Sequence, residues 1–185
     1  MEQNQILSSN AGIRTYWPSE GTEVLHEISN QRGLLWEKIE ELGGKMIKQL
    51  HAGEHIAGTE QSEEMKKIYP LKQHIEGGLY TRELFMPKDH LIVSMIHTQD
   101  HPSFLIRGKV SFITDDGIVK YIEAPYTVFT KAGTQRIFYI HEDTDWTCVF
   151  KSNEKTFEEA EADVFTNNYR KLPIELINKN KLLCQ

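Results

Sequence analysis

Three side chains near the middle of the sequence could together bind a small molecule: His97, His101 and Arg136. The two histidines bound the run His97-Thr-Gln-Asp-His101, and the arginine ends the run Ala132-Gly-Thr-Gln-Arg136. Imidazole rings and a guanidinium group offer several hydrogen-bond donors, and the guanidinium carries a permanent positive charge. If these groups face one cavity, they suit a small carboxylate or phosphate. The sequence therefore predicts an anion-binding pocket built around these three residues.

The residues that must position this pocket form short runs of strand-favouring side chains separated by turn signals. These runs occupy about residues 76–151 and leave no room for crossover helices, which predicts antiparallel strands. The clearest hairpin signal is Asp115-Asp116-Gly117. We predict strands at Tyr80–Phe85, Leu91–His97, Ser103–Ile106, Val110–Ile113, Ile118–Ile122, Tyr126–Thr130, Arg136–His141 and Trp146–Phe150.

Helical patterns flank this β-rich stretch on both sides. Upstream, apolar residues recur at spacings of three and four between Leu35 and Leu50, which predicts a helix with one apolar face. Downstream, Thr156 and Glu159 have the spacing of a capping box, and the tail over 167–185 is expected to contain a second short helix. The predicted organisation is a helical extension and linker over 1–70, a β-barrel over 71–152 and C-terminal helices over 153–185.

Composition and charge narrow the class of protein. The chain has 185 residues and a net charge of -6, which argues against broad nucleic-acid binding. No apolar run approaches the roughly 18 residues needed to span a bilayer, and the first residues lack a signal-peptide pattern. We therefore expect a cytoplasmic protein with no membrane partner. Cys148 lies in an apolar strand pattern and is interpreted as a small buried hydrophobe.

The strand region resembles the cupin superfamily. In that family a first motif supplies two histidines, a glutamate and a glycine, a second motif supplies a further histidine after a Pro-x-Gly turn, and the four ligands hold a metal inside the barrel. In the first motif, Gly108 stands at the position of the glycine, His101 at that of the glutamate, His97 at that of the second histidine and Met95 at that of the first. In the second motif, Lys131 and Gly133 stand at the positions of the proline and the glycine of the turn, and Arg136 stands at the position of the histidine. It implies a mainly β fold: a single cupin-like antiparallel β-barrel, or jelly roll, with an N-terminal helical extension and C-terminal helices packed outside it.

The resemblance also implies a divalent transition metal, namely zinc, iron, manganese or nickel. Of the usual metal ligands of the family, only His97 and His101 are present in this sequence. A metal of this class prefers three or more protein ligands, and a guanidinium at position 136 would repel a cation. His141 lies five residues after Arg136, so strand alternation places it on the opposite face. Glu123 and Tyr121, on a neighbouring strand, are additional candidate ligands.

Several further residues are expected to line the same pocket if their strands face it: Tyr80, Arg82, Glu123 and Tyr139. The alternative for Arg136 is a structural salt bridge, because pairing is how proteins usually tolerate a buried charge. Its acidic partner would then be Glu123, Asp143 or Asp145.

Five short patterns are similar to small cupin-like proteins of tailed phages: Gly-Leu-Tyr-Thr-Arg at 78–82, His-x-x-x-His at 97–101, Glu-Ala-Pro-Tyr-Thr at 123–127, Ala-Gly-Thr-Gln-Arg at 132–136 and His-Glu-Asp-Thr-Asp-Trp-Thr at 141–147. The favoured hypothesis is a phage-encoded protein that binds a small anionic ligand in the host cytoplasm. The first alternative is a metal-dependent cupin enzyme that uses His97 and His101. The second is a virion or assembly protein in which the barrel is a scaffold. A homodimer or higher homo-oligomer is expected, since such barrels often pair through an edge strand.

Overall fold

Antiparallel β-structure dominates the computed structural model, which describes residues 58, 61–113, 118–166, 168 and 171–176. Every strand pair within these residues is antiparallel. The elements in chain order are α1 Glu63–Ile68, β1 Leu71–Glu76, β2 Leu79–Met86, β3 Leu91–Val93, β4 Ile96–His97, β5 His101–Ile113, β6 Val119–Glu123, β7 Tyr126–Thr130, β8 Ile137–Lys151, α2 Phe157–Val164 and β9 Phe165–Thr166.

Two long strands, β5 and β8, hold the barrel together. They pair with each other from Ser103 opposite Cys148 to Phe112 opposite Phe138. The first part of β5 also pairs with β7 and its last part with β6, while β8 pairs with β3 at its start and β2 at its end. Each long strand therefore belongs to two sheet regions, which face each other across the interior as in a jelly roll.

The bend that lets β5 change region lies at Gly108. The register between β5 and β8 shifts at three places between Leu105 and Val110, which is the signature of β-bulges. Gly108 has a φ of 95°, and a Cβ added there would lie 2.4 Å from Oγ1 of Thr144. Only glycine fits this conformation and this close approach. The motif glycine of the sequence is therefore a requirement of the bend.

An apolar core fills the space between the two sheet regions. Its members are buried, and they come from α1, from the loop after it and from five of the strands. We call this set the apolar core: Met65, Tyr69, Met86, Ile92, Leu105, Val110, Phe112, Ile122, Phe138, Ile140 and Trp146.

The two helices close the barrel at different places. Helix α1 begins after Ser62, whose Oγ accepts from the backbone N–H of Met65, and its Met65 packs in the apolar core. Helix α2 begins after Thr156, whose Oγ1 accepts from the N–H of Glu159, so the threonine half of the predicted capping box is present, while the Glu159 carboxylate accepts from the Thr156 hydroxyl. Ala160 of α2 packs instead in a second cluster that contains Phe150.

The structure confirms the predicted mainly β, antiparallel fold, and it differs at several element boundaries. The sequence predicts two strands on either side of Gly108 where the structure has the single bent strand β5. It likewise predicts two strands within 136–150 where the structure has β8, because the acidic residues between them pair with cations on β5. In the other direction, Leu91–His97 is divided into β3 and β4. Strand β1 is missed because its half-buried residues alternate with exposed polar ones at a sheet edge.

Several sequence predictions lie outside the described residues. They include the helix over Leu35–Leu50, the turn Asp115-Asp116-Gly117 and most of the C-terminal tail. The strands next to that turn do pair, with Ile113 opposite Val119. Among the described helices, none has the length and apolar character that a bilayer crossing requires.

Candidate ligand site

The pairing of β2, β8, β5 and β7 gathers polar side chains at one end of the barrel interior. Arg82 lies opposite Cys148, Cys148 opposite Ser103, and His101 opposite Thr130. Because side chains alternate along each strand, these residues share the inner face with Leu105 and Trp146 of the apolar core. Two further residues, on β4 and just before β8, join them. We call the set His97, His101, Cys148, Ser103, Thr130, Arg82 and Arg136 the polar cluster.

His97 is fixed by the turn that carries the second sequence motif. Its backbone N–H and its ring Nδ1 both donate to the carbonyl of Thr134, each at 3.0 Å, and its own carbonyl accepts from the N–H of Gly133. Strand β4 also pairs with β9, which places the ring of Phe165 5.1 Å from the ring of His97. The two motifs of the sequence therefore meet at this histidine.

The two histidine rings lie side by side and use the same tautomer. Their ring centroids are 4.7 Å apart. Nδ1 of His101 donates to the carbonyl of Gln99 at 3.1 Å, as Nδ1 of His97 does to Thr134. A carbonyl can only accept, so in each neutral ring the proton is on Nδ1 and the lone pair on Nε2. Nε2 of His101 is buried and has no hydrogen-bond partner in the described part of the chain.

Both rings are neutral at physiological pH. Burial, together with the proximity of His101, Arg136 and Arg82, lowers the pKa of His97 to about 3 against the raising effect of the Thr134 carbonyl. Burial, together with the Arg136 charge, lowers the pKa of His101 to about 4. Each Nδ1–H is committed to a backbone carbonyl, and in the neutral ring Nε2 is an acceptor, so the donors for an anion come from the guanidinium groups.

Arg136 joins the cluster through a row of hydroxyl and thiol groups. Its Nη1 donates to Oγ1 of Thr130 at 3.1 Å, and its guanidinium lies 5.4 Å from the centre of the Phe112 ring. Oγ of Ser103 is 3.2 Å from that Thr130 oxygen and 3.5 Å from Sγ of Cys148. Because hydroxyl groups can rotate to donate or accept, this row adapts to what lies beside it.

Arg82 is the least compensated charge of the cluster. It is only 7% exposed, and its guanidinium lies 4.6 Å from the centre of the Phe165 ring. Its Nε is buried without a hydrogen-bond partner, and within the described residues the side chain forms no ion pair. A ring face offers a cation much less than a carboxylate does. The fold itself therefore leaves this buried charge largely unpaired.

The acids that the sequence offers as partners of Arg136 bond elsewhere. Glu123 forms a salt bridge with Lys109, and Asp145 forms one with Arg107. Asp143 accepts from the backbone N–H of Lys88. The predicted salt bridge between Arg136 and one of these acids is therefore absent from the described structure.

The other sequence candidates lie beside or outside the polar cluster. Tyr80 is fully buried, but its hydroxyl donates to Oε1 of Gln73 at 2.6 Å. The Tyr139 hydroxyl donates to Asp89, and Glu123 is exposed with its Lys109 partner. His141 bonds to Ser111 and lies against the Tyr121 ring on the opposite face of the sheet from Arg136, as strand alternation predicts.

Cys148 is the residue that sequence reasoning missed. The ligand atoms of His97, His101 and Cys148 lie within 4.8 Å of one another. Burial raises the pKa of this thiol, although the residue as a whole is only half-buried. The alternation Trp146-x-Cys148-x-Phe150 is the signal that places it on the inner face.

These three donors form a set that zinc or a similar metal accepts. Two imidazoles and a thiolate leave one coordination position open, which is the pattern of catalytic zinc sites. Around one zinc ion such atoms stand roughly 3.3–3.8 Å apart, so the cluster would have to contract by about 1 Å. The donor chemistry fits a metal, whereas the nearby charges of Arg82 and Arg136 oppose one.

Comparisons with known proteins give similarity to solved structures only. No protein-family model and no curated protein matches the chain. A cupin 2 domain-containing protein from Halorhodospira halophila is 12% identical, with a TM-score of 0.40 over 46% of this chain and 65% of its own. An RmlC-like cupin family protein with a double-stranded β-helix fold, from Methanocaldococcus jannaschii, is 7% identical, with a TM-score of 0.39 over 45% of this chain and 80% of its own. An acetylacetone dioxygenase from Acinetobacter johnsonii is 16% identical, with a TM-score of 0.38 over 44% of this chain and 58% of its own.

Proposed function

We propose that the polar cluster binds a small carboxylate or phosphate, with the guanidinium groups of Arg82 and Arg136 as the anion-binding groups. The observation that carries this proposal is the buried, unpaired charge of Arg82. Placing a charge in a protein interior without a partner costs several kcal/mol, so such a group is rarely kept for stability. An anion that enters the cluster supplies the missing partner.

The electrostatics of the cluster support an anion over a cation. Both histidines are neutral, and the thiol of Cys148 is held in its protonated form by burial. No member of the cluster is a carboxylate, and Arg82 forms no ion pair within the described residues. A carboxylate or phosphate between guanidinium groups gains charge-assisted hydrogen bonds in a low-dielectric setting.

Thermal unfolding with defined anions tests this proposal. We expect acetate, propionate or inorganic phosphate to raise the melting temperature of the wild-type protein, since a ligand at about 100 times its Kd stabilises the native state by about 2.7 kcal/mol. Arg82→Met should lose the response. Arg107→Met is the matched control, because Arg107 is exposed and paired with Asp145. No response from the wild type, or an equal response from Arg82→Met, would refute the proposal.

A metal-dependent enzyme is the second candidate, and the grouping of His97, His101 and Cys148 favours it. A bound metal would supply a Lewis acid at this end of the barrel. Elemental analysis of the purified protein tests for the ion itself. Titration with Co²⁺ tests the ligand set, because thiolate coordination gives a charge-transfer band that Cys148→Ser must abolish. Stoichiometric metal that displaces bound carboxylate would favour this candidate over the first.

The remaining expectations concern the setting of the protein and stay predictions. They are the origin in a tailed phage, the cytoplasmic location, the homodimer or larger homo-oligomer, and the alternative role as a scaffold. Light scattering of the purified protein tests the oligomeric state. A scaffold role predicts that assembly survives loss of Arg82 and His101.

A further inference from the structure

A simple anion does not satisfy every group in the polar cluster. Arg82 Nε is a buried donor without a partner, and His101 Nε2 is a buried acceptor without one, both within the described residues. An anion accepts hydrogen bonds, so it suits the guanidinium. The same anion placed against the lone pair of a neutral imidazole gains nothing and is repelled.

The ligand therefore has to carry a hydrogen-bond donor as well as a negative charge. His101 is 1% exposed, so a donor to its Nε2 has to lie inside the barrel. The hydroxyl groups of Ser103 and Thr130 already contact each other, with Arg136 donating to Thr130. They can rotate to suit a ligand, but the acceptor role of Nε2 is fixed by the Nδ1–H bond to Gln99.

We propose, on the basis of the proposed function, that the ligand is a hydroxycarboxylate whose carboxylate binds the guanidinium groups and whose hydroxyl donates to Nε2 of His101. A hydroxyl is favoured over an ammonium group because the charges of Arg82 and Arg136 would repel a cation. A carboxylate is favoured over a phosphate monoester because the latter is largely a dianion at neutral pH and has no hydroxyl of its own on phosphorus.

Calorimetry with matched acid pairs tests this proposal on the full-length wild-type protein. The probes are lactate against propionate and 2-hydroxybutanoate against butanoate, which differ only in the hydroxyl. The buffer is depleted of metal and free of other carboxylates and of phosphate. We expect the hydroxy acid to bind about tenfold or more tightly in each pair, because its analogue leaves Nε2 buried and unsatisfied.

A variant assigns that difference to His101. In His101→Leu the ratio of the two dissociation constants should fall to about one, since neither acid then leaves a buried nitrogen without a hydrogen bond. His101→Gln keeps a side-chain acceptor and should retain part of the preference. The wild-type comparison decides the proposal by itself if either variant fails to fold.

The outcomes separate this inference from the proposed function. Equal affinity for the two acids of each pair overturns the hydroxycarboxylate assignment and leaves the anion site standing. Tighter binding of inorganic phosphate than of lactate also overturns it, in favour of a phosphate ligand. If none of the four acids nor phosphate binds, the proposed function fails together with the inference.

Discussion

Two regions of the barrel interior, the apolar core and the polar cluster, are built by the same strands and have opposite character. Strand β5 supplies Leu105 to the apolar core and Ser103 to the polar cluster, and β8 supplies Trp146 and Cys148 in the same way. A step of two residues along either strand therefore crosses from one region to the other. In the apolar core most buried groups are hydrocarbon, and the Tyr69 hydroxyl contacts Nδ1 of His90 at 2.6 Å, whereas the polar cluster keeps buried nitrogen atoms without hydrogen-bond partners.

The apolar core therefore stabilises the fold, whereas the polar cluster is suited to binding a ligand. Burial of the apolar core supplies the hydrophobic stabilisation of the barrel. The polar cluster works against stability, because a buried donor, a buried acceptor and an unpaired charge each have an unfavourable transfer free energy. Departures of this kind from a well-satisfied interior are expected at functional sites. The predictions below test this division.

The largest effect is expected from truncation in the apolar core. The Phe138 ring lies 5.6 Å from that of Phe112 and 5.3 Å from that of Trp146. Phe138→Ala should lower the free energy of unfolding by about 3–5 kcal/mol, because it removes buried surface and leaves a cavity. Urea unfolding measures the change, and Phe129→Ala at a 68% exposed site is the control. A loss below about 1 kcal/mol would show that this region does not carry the stability.

The polar cluster should make the ligand-free protein sensitive to acid. The pKa values of His97 and His101 are lowered to about 3 and about 4, so between those values and about 6.5 the unfolded chain binds more protons than the native state. Stability is therefore lost as the pH falls through this window. From about pH 7 to pH 5 we expect a loss of about 2–4 kcal/mol, since each such histidine contributes up to about 1.4 kcal/mol per pH unit.

Urea unfolding at several pH values measures this acid effect, and two variants sharpen it. His101→Leu should flatten the dependence on pH because one of the two buried titrating groups is gone. His74→Gln should leave it unchanged, since His74 is exposed beside Glu76. An unchanged slope in His101→Leu would mean that this ring is not the source of the effect.

The sequence predicts the apolar core better than the polar cluster. Alternating apolar residues identify most of the strands, and Gly108, where the sequence predicts a break between two strands, has a positive φ. Alternation also separates Arg136 from His141 correctly. It does not show that β5 and β8 continue through their polar central stretches, because the ion pairs Arg107–Asp145 and Lys109–Glu142 that support them join residues far apart in sequence.

The chemistry of the polar cluster depends on contacts that no local pattern contains. Whether an imidazole donates or accepts is set by the carbonyl groups of Gln99 and Thr134, and the second of these lies 37 residues from the ring it holds. Cys148 was expected to be a hydrophobe, since its neighbours in sequence are apolar. Its proximity to the two histidines arises only when β8 pairs with β5.

A smaller effect, of opposite sign to that of Phe138→Ala, is expected when the unpaired charge is removed. Arg82→Met keeps an extended side chain against the Phe165 ring and should leave the ligand-free protein unchanged or more stable by about 1–3 kcal/mol. Arg107→Met, which breaks an exposed salt bridge with Asp145, should change stability by less than about 1 kcal/mol. Marked destabilisation by Arg82→Met would show that the charge is compensated in the native state. The conclusion that the polar cluster lowers the stability of the protein through an unpaired charge would then be wrong.

The smallest effects are expected at two tyrosines that the sequence offers as ligand-binding residues. The Tyr80 hydroxyl donates to Gln73 and the Tyr139 hydroxyl to Asp89, and burial raises the pKa of each to about 12. Tyr80→Phe and Tyr139→Phe should each lower the free energy of unfolding by about 0.5–1.5 kcal/mol, the net contribution of one hydrogen bond. Calorimetry should find the affinity for lactate unchanged within about twofold, because each hydroxyl already donates to a side chain outside the polar cluster. A tenfold loss of affinity in Tyr80→Phe would mean that the Tyr80 hydroxyl also contacts the ligand. The same loss in Tyr139→Phe would mean that the ligand site lies on the outer face of the sheet.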